Sequence, residues 1–216
     1  MIRPLTISLL LGLAALSASA SALPDAPSLK PKRVYASQTT NAKNAEILHK
    51  ALNAAGRYDW NEVADLQRQA SDPAVGNLIM WVRASEGVPG MGFDEVASAI
   101  ETLPTWPKTD RMRKRAEEII DLSSLSHGDR ILWLTNAGPQ TGAGKIALAR
   151  SYKAVGQPAK AEALVHDAWR NNSMDRDLER IVLATYGGFL TEADHRARIE
   201  FLLWTNQRSA ATNLKP

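Results

Sequence analysis

The 216-residue sequence contains no cysteine. This absence excludes disulfide bonds, thiolate zinc sites, cysteine nucleophiles and attachment of a lipid through a cysteine. A large excess of one charge is also missing, because 26 basic residues face 23 acidic ones and the formal net charge is only +3. Since the charges are interspersed along the chain, we predict no nucleic-acid partner. The small positive excess favours an anionic polymer over a cationic partner.

Familiar catalytic and cofactor motifs are missing as well. The four histidines form neither an HExxH motif nor an i, i+4 pair, and no serine lies in a Gly-x-Ser-x-Gly elbow; the histidines are His49, His127, His166 and His195. The segment Gly142–Lys145 does not fit a phosphate loop, since Pro139 and Ile146 stand where glycine and serine or threonine are needed. We therefore predict no metal, no cofactor and no residue of a nucleophilic hydrolase.

The N-terminus has the three parts of an export signal. Arg3 is the positive residue, residues 5–16 are mostly apolar, and Ala18-Ser19-Ala20 or Ala20-Ser21-Ala22 offers small residues for cleavage. The apolar run is shorter than the roughly 20 residues that cross a bilayer. We predict a signal peptide over residues 1–22 and no stable membrane span after its removal.

Two further regions follow the predicted signal peptide. Residues 23–40 carry Pro24, Pro27 and Pro31 without apolar periodicity, which is typical of a flexible linker. Residues 41–216 are enough for one domain. They show helical periodicity with short Gly- or Pro-marked breaks and almost no alternating β-branched runs, so the sequence predicts an all-α fold.

A helical hairpin is predicted most clearly between Gly144 and Asn171. Gly156 suits the left-handed position that ends a helix, and Pro158 suits the first turn of the next one. Apolar residues then recur at helical spacing in the second helix, at Ala161, Leu164, Val165, Ala168 and Trp169. The pair is similar to a tetratricopeptide unit. A weaker copy of its residue pattern occurs near residues 48–64, but with a different spacing. We predict an α-superhelix, or solenoid, of irregular helical hairpins.

Other segments predict further helices, about ten in all. One stripe runs from Phe93 to Leu103 before Pro104 and Pro107, and another from Met112 to Ile120. Thr191 and Asp194 have the spacing of a capping box. The helix that they begin is expected to present one apolar side made of His195, Ile199, Leu202 and Leu203.

Three motifs together resemble the superhelical part of soluble lytic murein transglycosylases. They are residues 186–204 (YGGFLTEADHRARIEFLLW), Thr141–Lys145 and Ala168-Trp169-Arg170. The resemblance spans about residues 41–204 and is weaker at 123–136. It implies a U-shaped periplasmic α-superhelix. In that family a lysozyme-like C-terminal domain cleaves the MurNAc-GlcNAc β-1,4 bond of peptidoglycan to 1,6-anhydro products, using a glutamate that is followed by serine.

The catalytic domain of this family is expected to be absent from the chain. A Glu-Ser pair occurs nowhere in the sequence, and the chain stops at Pro216 before such a domain could begin. Glu95, Glu117 and Glu118 lie in polar helical segments where the charged form should be favoured. We therefore assign no catalytic residue, and the resemblance leaves enzymatic activity of this chain undecided.

A junction in the middle of the chain carries the candidate contact residues. Trp106 lies between two prolines and is followed by a basic helix with Arg111, Lys114 and Arg115, an arrangement similar to junctions of the transglycosylase superhelix. In one interpretation Trp106 packs against sugar rings and the cations contact acidic stem peptides of peptidoglycan. In the other, Trp106 fills the helical core and the cations form a solvated face.

The sequence supports two hypotheses of function and leaves a third open. The first is a non-catalytic superhelical segment of a periplasmic lytic transglycosylase, acting in peptidoglycan remodelling. The second is a stand-alone periplasmic tetratricopeptide-like scaffold that binds a protein partner or peptidoglycan. The third, an enzyme with an unrecognised site, has no carboxylate pair or nucleophile to support it.

Overall fold

Eleven α-helices build residues 40–214, the part of the chain that the computed structural model describes. Helical residues make up 77% of this range and it contains no strand, so the all-α prediction is confirmed. In chain order the helices are α1 (Ala42–Gly56), α2 (Trp60–Gln69), α3 (Pro73–Glu86), α4 (Phe93–Thr102), α5 (Thr109–Ile119), α6 (His127–Ala137), α7 (Gly142–Ala154), α8 (Pro158–Asn171), α9 (Arg176–Tyr186), α10 (Glu192–Trp204) and α11 (Arg208–Asn213).

Two of the predicted regions fall beyond this range. The signal peptide predicted over residues 1–22 lies outside the described residues, and so does the predicted linker over 23–40 except for Thr40. Among residues 40–214, no helix is both long and apolar enough to cross a membrane.

Local sequence chemistry sets the ends of α7 and α8. Thr141 caps α7 by accepting a hydrogen bond from the Gly144 amide at 2.9 Å. Gly156 has φ +76°, the left-handed conformation expected of it, and Pro158 stands in the first turn of α8. The two helices pack along one another as the predicted hairpin. The helical spacing of Leu148, Tyr152 and Val155 predicts one shared apolar face, but Val155 lies in the turn between the two helices and is exposed.

The apolar core consists of three clusters that follow the chain order. The first joins α1, α2 and the start of α3, the second runs from the end of α3 through α4, α5 and α6 to α7, and the third joins α7, α8 and α9. Helix α3 contributes Ile79 to the first cluster and Ala84 to the second. Helix α7 contributes Leu148 to the second and Ile146 to the third. Each cluster is therefore connected to the next through a shared helix.

Helix α10 differs from its prediction. The capping box of Thr191 and Asp194 forms as expected. The buried positions of the helix, however, are Asp194, Arg198 and Leu202, whereas Leu203 is 53% exposed. The prediction that Leu203 lies on the packed side was wrong, because hydrophobicity does not reveal a buried stripe that contains a paired carboxylate and guanidinium.

Candidate functional site

The turn between α4 and α5 holds Trp106 in place. Leu103, the residue that follows α4, is buried, and the Trp106 amide donates to its carbonyl at 3.1 Å. Lys108 then adopts φ +65° immediately before α5. The Thr109 hydroxyl donates to the Trp106 carbonyl at 2.6 Å. The backbone of Trp106 is therefore hydrogen-bonded on both sides.

Trp81 of α3 is the partner of Trp106. The ring centroids are 6.1 Å apart and the planes are tilted by 54°. The Trp81 indole N–H donates to the Pro107 carbonyl at 2.7 Å, which ties α3 to the turn. Both rings are half-buried. Trp106 is thus neither enclosed in the core nor free of contacts, and the two rings together form a partly open aromatic surface.

Sequence reasoning missed Trp81 because it lies 25 residues before Trp106 and no local motif links the two. Lys108 was missed as well. Its ammonium lies 5.5 Å from the centroid of the Trp81 ring and 2.7 Å from Oε1 of Glu86. A cation over an aromatic face is attracted by the ring's negative π surface. Lys108 therefore belongs with the aromatic pair.

The predicted cations are spread along α5. Arg111 is mostly exposed and its Nη1 lies 3.8 Å from Oε2 of Glu86. The hydrogen bond from Lys108 is the main reason why the pKa of Glu86 lies below its ordinary value, so this carboxylate offsets part of the nearby positive charge. Lys114 is exposed, and within residues 40–214 it makes no ion pair. The aromatic pair and the side chains of Lys108 and Arg111 are called the Trp81–Trp106 surface below, and Lys114 lies one helical turn further along α5.

Arg115 belongs to a neighbouring depression. Its guanidinium lies 3.4 Å from Glu118, and together with Thr141 and Asp175 it lines a hollow of about 470 Å³. Arg113, on the same basic helix, is only 11% exposed at its side chain, and its guanidinium lies 4.6 Å from the centroid of the Trp133 ring. Of the four predicted contact residues, Trp106 therefore lies in the turn before α5 and the three cations lie on α5, without converging on a single point.

Glu117 lies in the protein interior rather than in a cleft. It is only 1% exposed and accepts hydrogen bonds from the amides of Gln140 and Thr141 and from the Thr141 hydroxyl, at 2.7–3.0 Å. These donors precede the first turn of α7, where the helix dipole also favours a negative charge. The carboxylate thus anchors α7 to α5, a structural role.

A second buried carboxylate, Asp194, joins α8 to α10. Its side chain accepts hydrogen bonds from the amide and hydroxyl of Thr191, from Arg170, and from His166 at 2.9 Å. Burial acts to raise the pKa of Asp194, but the hydrogen bonds outweigh burial and hold that pKa well below its usual range. His166 also lies 3.7 Å from Glu162. Because His166 and Arg170 belong to α8 and Asp194 belongs to α10, these contacts hold the two helices together.

An open groove of about 810 Å³ lies between α4 and α6. Helix α4 contributes one side of the groove and helix α6 the other, and Leu125 completes its lining. At the bottom, the rings of Phe93 and Trp133 meet edge to face with their centroids 5.0 Å apart. Sequence reasoning did not find this groove, because it depends on the spacing between two helices that are separated by α5.

Groups of histidine and acidic residues able to hold a metal ion are not found in the range 40–214. A scan against models of protein families finds no match for the chain, and searches of curated proteins and of solved structures find none.

Proposed function

We propose that this chain is a non-catalytic, superhelical peptidoglycan-binding segment of a periplasmic lytic transglycosylase. The motifs at Thr141–Lys145 and residues 186–204 support the family relationship. Three clusters in chain order, joined through shared helices, support a solenoid of irregular tetratricopeptide-like hairpins, since each repeat of a solenoid packs against its neighbours. The N-terminal pattern of residues 1–22 supports export to the periplasm.

The observation that carries the binding function is the Trp81–Trp106 surface. Sugar rings pack their C–H faces on aromatic rings, and two half-buried indoles give a wider apolar surface than one. Peptidoglycan also carries carboxylates on its stem peptides, which Arg111, and Lys114 one turn further along α5, would attract. In this proposal the chain binds and orients the glycan, and bond cleavage belongs to a separate domain.

Sedimentation with purified sacculi tests this proposal. The wild-type protein should co-sediment, and mass spectrometry of the same samples should detect no anhydro-muropeptides above a protein-free control. Trp106→Ala should weaken binding about fivefold or more, since aromatic anchors dominate binding energies. Arg111→Gln/Lys114→Gln should weaken it as well, with a loss that shrinks at high salt.

Matched substitutions elsewhere serve as controls. Trp204 is 89% exposed at the end of α10, so Trp204→Ala should leave sedimentation unchanged. Arg180 and Arg196 are exposed cations outside the Trp81–Trp106 surface, and Arg180→Gln/Arg196→Gln removes the same charge. Anhydro products would show that the chain itself cleaves glycan. Absence of both products and sedimentation would favour the alternative, a periplasmic scaffold for a protein partner.

A further inference from the structure

A second surface, independent of the proposed glycan contact, lies in the groove between α4 and α6. Each helix lines it with residues at i, i+3, i+4 and i+7, the positions that form one helical face. On α4 these are Asp94, Ala97, Ser98 and Glu101, and on α6 they are Asp129, Leu132, Trp133 and Asn136. The facing stripes extend over two turns, roughly 10 Å. Two helical faces that line the same groove can receive a third helix between them.

The apolar part of the groove has a well-defined bottom and an exposed wall. Phe93 is buried and braced by the edge-to-face contact with Trp133. The guanidinium of Arg113 packs on the Trp133 ring and also donates to the Trp133 carbonyl at 3.1 Å. Leu132, in contrast, is 69% exposed although it lines the groove. A rigid aromatic floor beside an exposed leucine is the pattern of an apolar anchor site.

The polar part of the groove has one sign of charge. Its three ionisable residues are Asp94, Glu101 and Asp129, and all are exposed. None of them forms an ion pair within residues 40–214, although Asp129 accepts a hydrogen bond from Ser126. The nearby cations have other partners, since Arg83 pairs with Glu95 and Arg130 with Asp121. Three unneutralised carboxylates around an apolar floor complement a cationic ligand that also has an apolar face.

We propose that the groove between α4 and α6 binds an amphipathic, lysine- or arginine-bearing helix of a partner protein. The partner's apolar stripe packs on Ala97, Leu132 and Trp133, and its flanking cations pair with Asp94, Glu101 and Asp129. This is recognition of a helix in a groove, with anchors at i, i+3, i+4 and i+7 of the ligand. The two sites differ in charge. The groove is acidic and suits a cationic ligand, whereas the Trp81–Trp106 surface is basic and suits an anionic polymer.

The test uses fluorescence anisotropy with a labelled amphipathic peptide of leucine, alanine and lysine, about 15 residues long so that a helix can form. A matched peptide carries glutamate in place of every lysine. The lysine peptide should bind the wild-type protein, and the glutamate peptide should bind about tenfold more weakly or not at all. Leu132→Gln should weaken binding of the lysine peptide about tenfold, whereas Leu122→Gln, at a still more exposed leucine outside the groove, should not.

Charge reversal makes the test specific. Asp94→Lys/Glu101→Lys should lose the lysine peptide and gain the glutamate peptide, while Asp177→Lys/Glu192→Lys, at exposed acids elsewhere, should behave like the wild type. Groove variants should still co-sediment with sacculi if the wild type does, so failure of either proposal is seen separately. Binding of the lysine peptide that is insensitive to the groove substitutions would overturn the proposal. Self-association of the wild type that Leu132→Gln abolishes would also overturn it, since a second copy would then be the occupant.

Discussion

At the scale of single residues, Arg198 is the clearest case of a charged side chain that serves the fold. It is fully buried, donates to the carbonyls of Trp169 and Asn172 and pairs with Glu179, so it joins α8, α9 and α10. Its guanidinium also lies 5.1 Å from the centroid of the Trp169 ring. Losing one partner of such a pair leaves the other charge buried without compensation.

Arg198→Met should therefore lower the free energy of unfolding by about 3–5 kcal/mol, because Met keeps much of the volume but leaves Glu179 and two carbonyls without a donor. Chemical denaturation measures this loss. Arg196→Met is the matched control, since Arg196 is exposed on the same helix and should change stability by less than about 0.5 kcal/mol. A loss of under 1 kcal/mol in Arg198→Met would contradict the assigned role.

Gly144 is the second residue with a measurable structural role. A Cβ atom built on it would lie 2.5 Å from Oε2 and 2.9 Å from Cδ of Glu117, so the buried carboxylate has room at the start of α7 only because residue 144 has no side chain. Gly144→Ala should destabilise the protein by about 2 kcal/mol, since it displaces a hydrogen-bonded buried group.

Gly76→Ala in α3 is the comparison for Gly144→Ala, at a helical glycine that has no close neighbour. Nothing lies within 4 Å of the added Cβ, and Ala is favoured over Gly inside a helix by roughly 1 kcal/mol. The midpoint of thermal or chemical unfolding should therefore fall in Gly144→Ala and rise in Gly76→Ala. Equal effects of the two substitutions would show that the contact with Glu117 does not constrain position 144.

At the scale of helices, the sequence predicted where helices begin and end better than it predicted which helices pack together. Gly156 and Pro158 fixed the α7–α8 turn, and Thr191 with Asp194 fixed the start of α10, because each depends on groups within a few residues. The pairing of Trp81 with Trp106 was not predictable, since it requires the packing of α3 against the turn that precedes α5.

The interior faces of α5 and α10 show the physical limit of periodicity. Apolar spacing correctly predicted that Met112, Ala116 and Ile119 are buried, but it gave no indication that Glu117 is buried with them. The same holds for Asp194 and Arg198 on α10. A charged residue can be buried when donors or acceptors from other helices satisfy it, and those partners are set by the fold rather than by its own neighbours in sequence. The groove between α4 and α6 could not be predicted either, because it also depends on how helices that are not adjacent in sequence are placed by the fold.

At the scale of the whole molecule, ion pairs between packed helices support the chain of clusters. Lys145 of α7 lies 2.6 Å from Asp167 of α8, and Asp194 joins α8 to α10. Burial acts to raise the pKa of Asp167, but the hydrogen bonds from Lys145 and Asn171 lower it more. The pKa of Asp194 is likewise held well below its usual range. Both carboxyls are therefore easier to ionise in the folded state than in the unfolded one.

Because the pKa of both carboxyls is lower in the folded protein than in the unfolded chain, acid should lower the free energy of unfolding. A group whose pKa is lower in the folded state stabilises the protein fully above its unfolded pKa, near 4 for Asp, and this contribution is lost as the pH falls further. At pH 7, Asp194→Asn should cost about 3 kcal/mol, because Arg170 loses a buried anionic partner.

The difference in unfolding free energy between wild type and Asp194→Asn should then shrink steadily between pH 5 and pH 2.5. His166, Arg170 and Glu162 surround this carboxylate and are the same in both proteins, so the comparison isolates the contribution of the Asp194 side chain. Denaturation curves across this range measure the difference, with Asp177→Asn as control because Asp177 is 83% exposed. A difference that stays constant with pH would mean that hydrogen bonding by the side chain, and not its charge, holds α8 to α10.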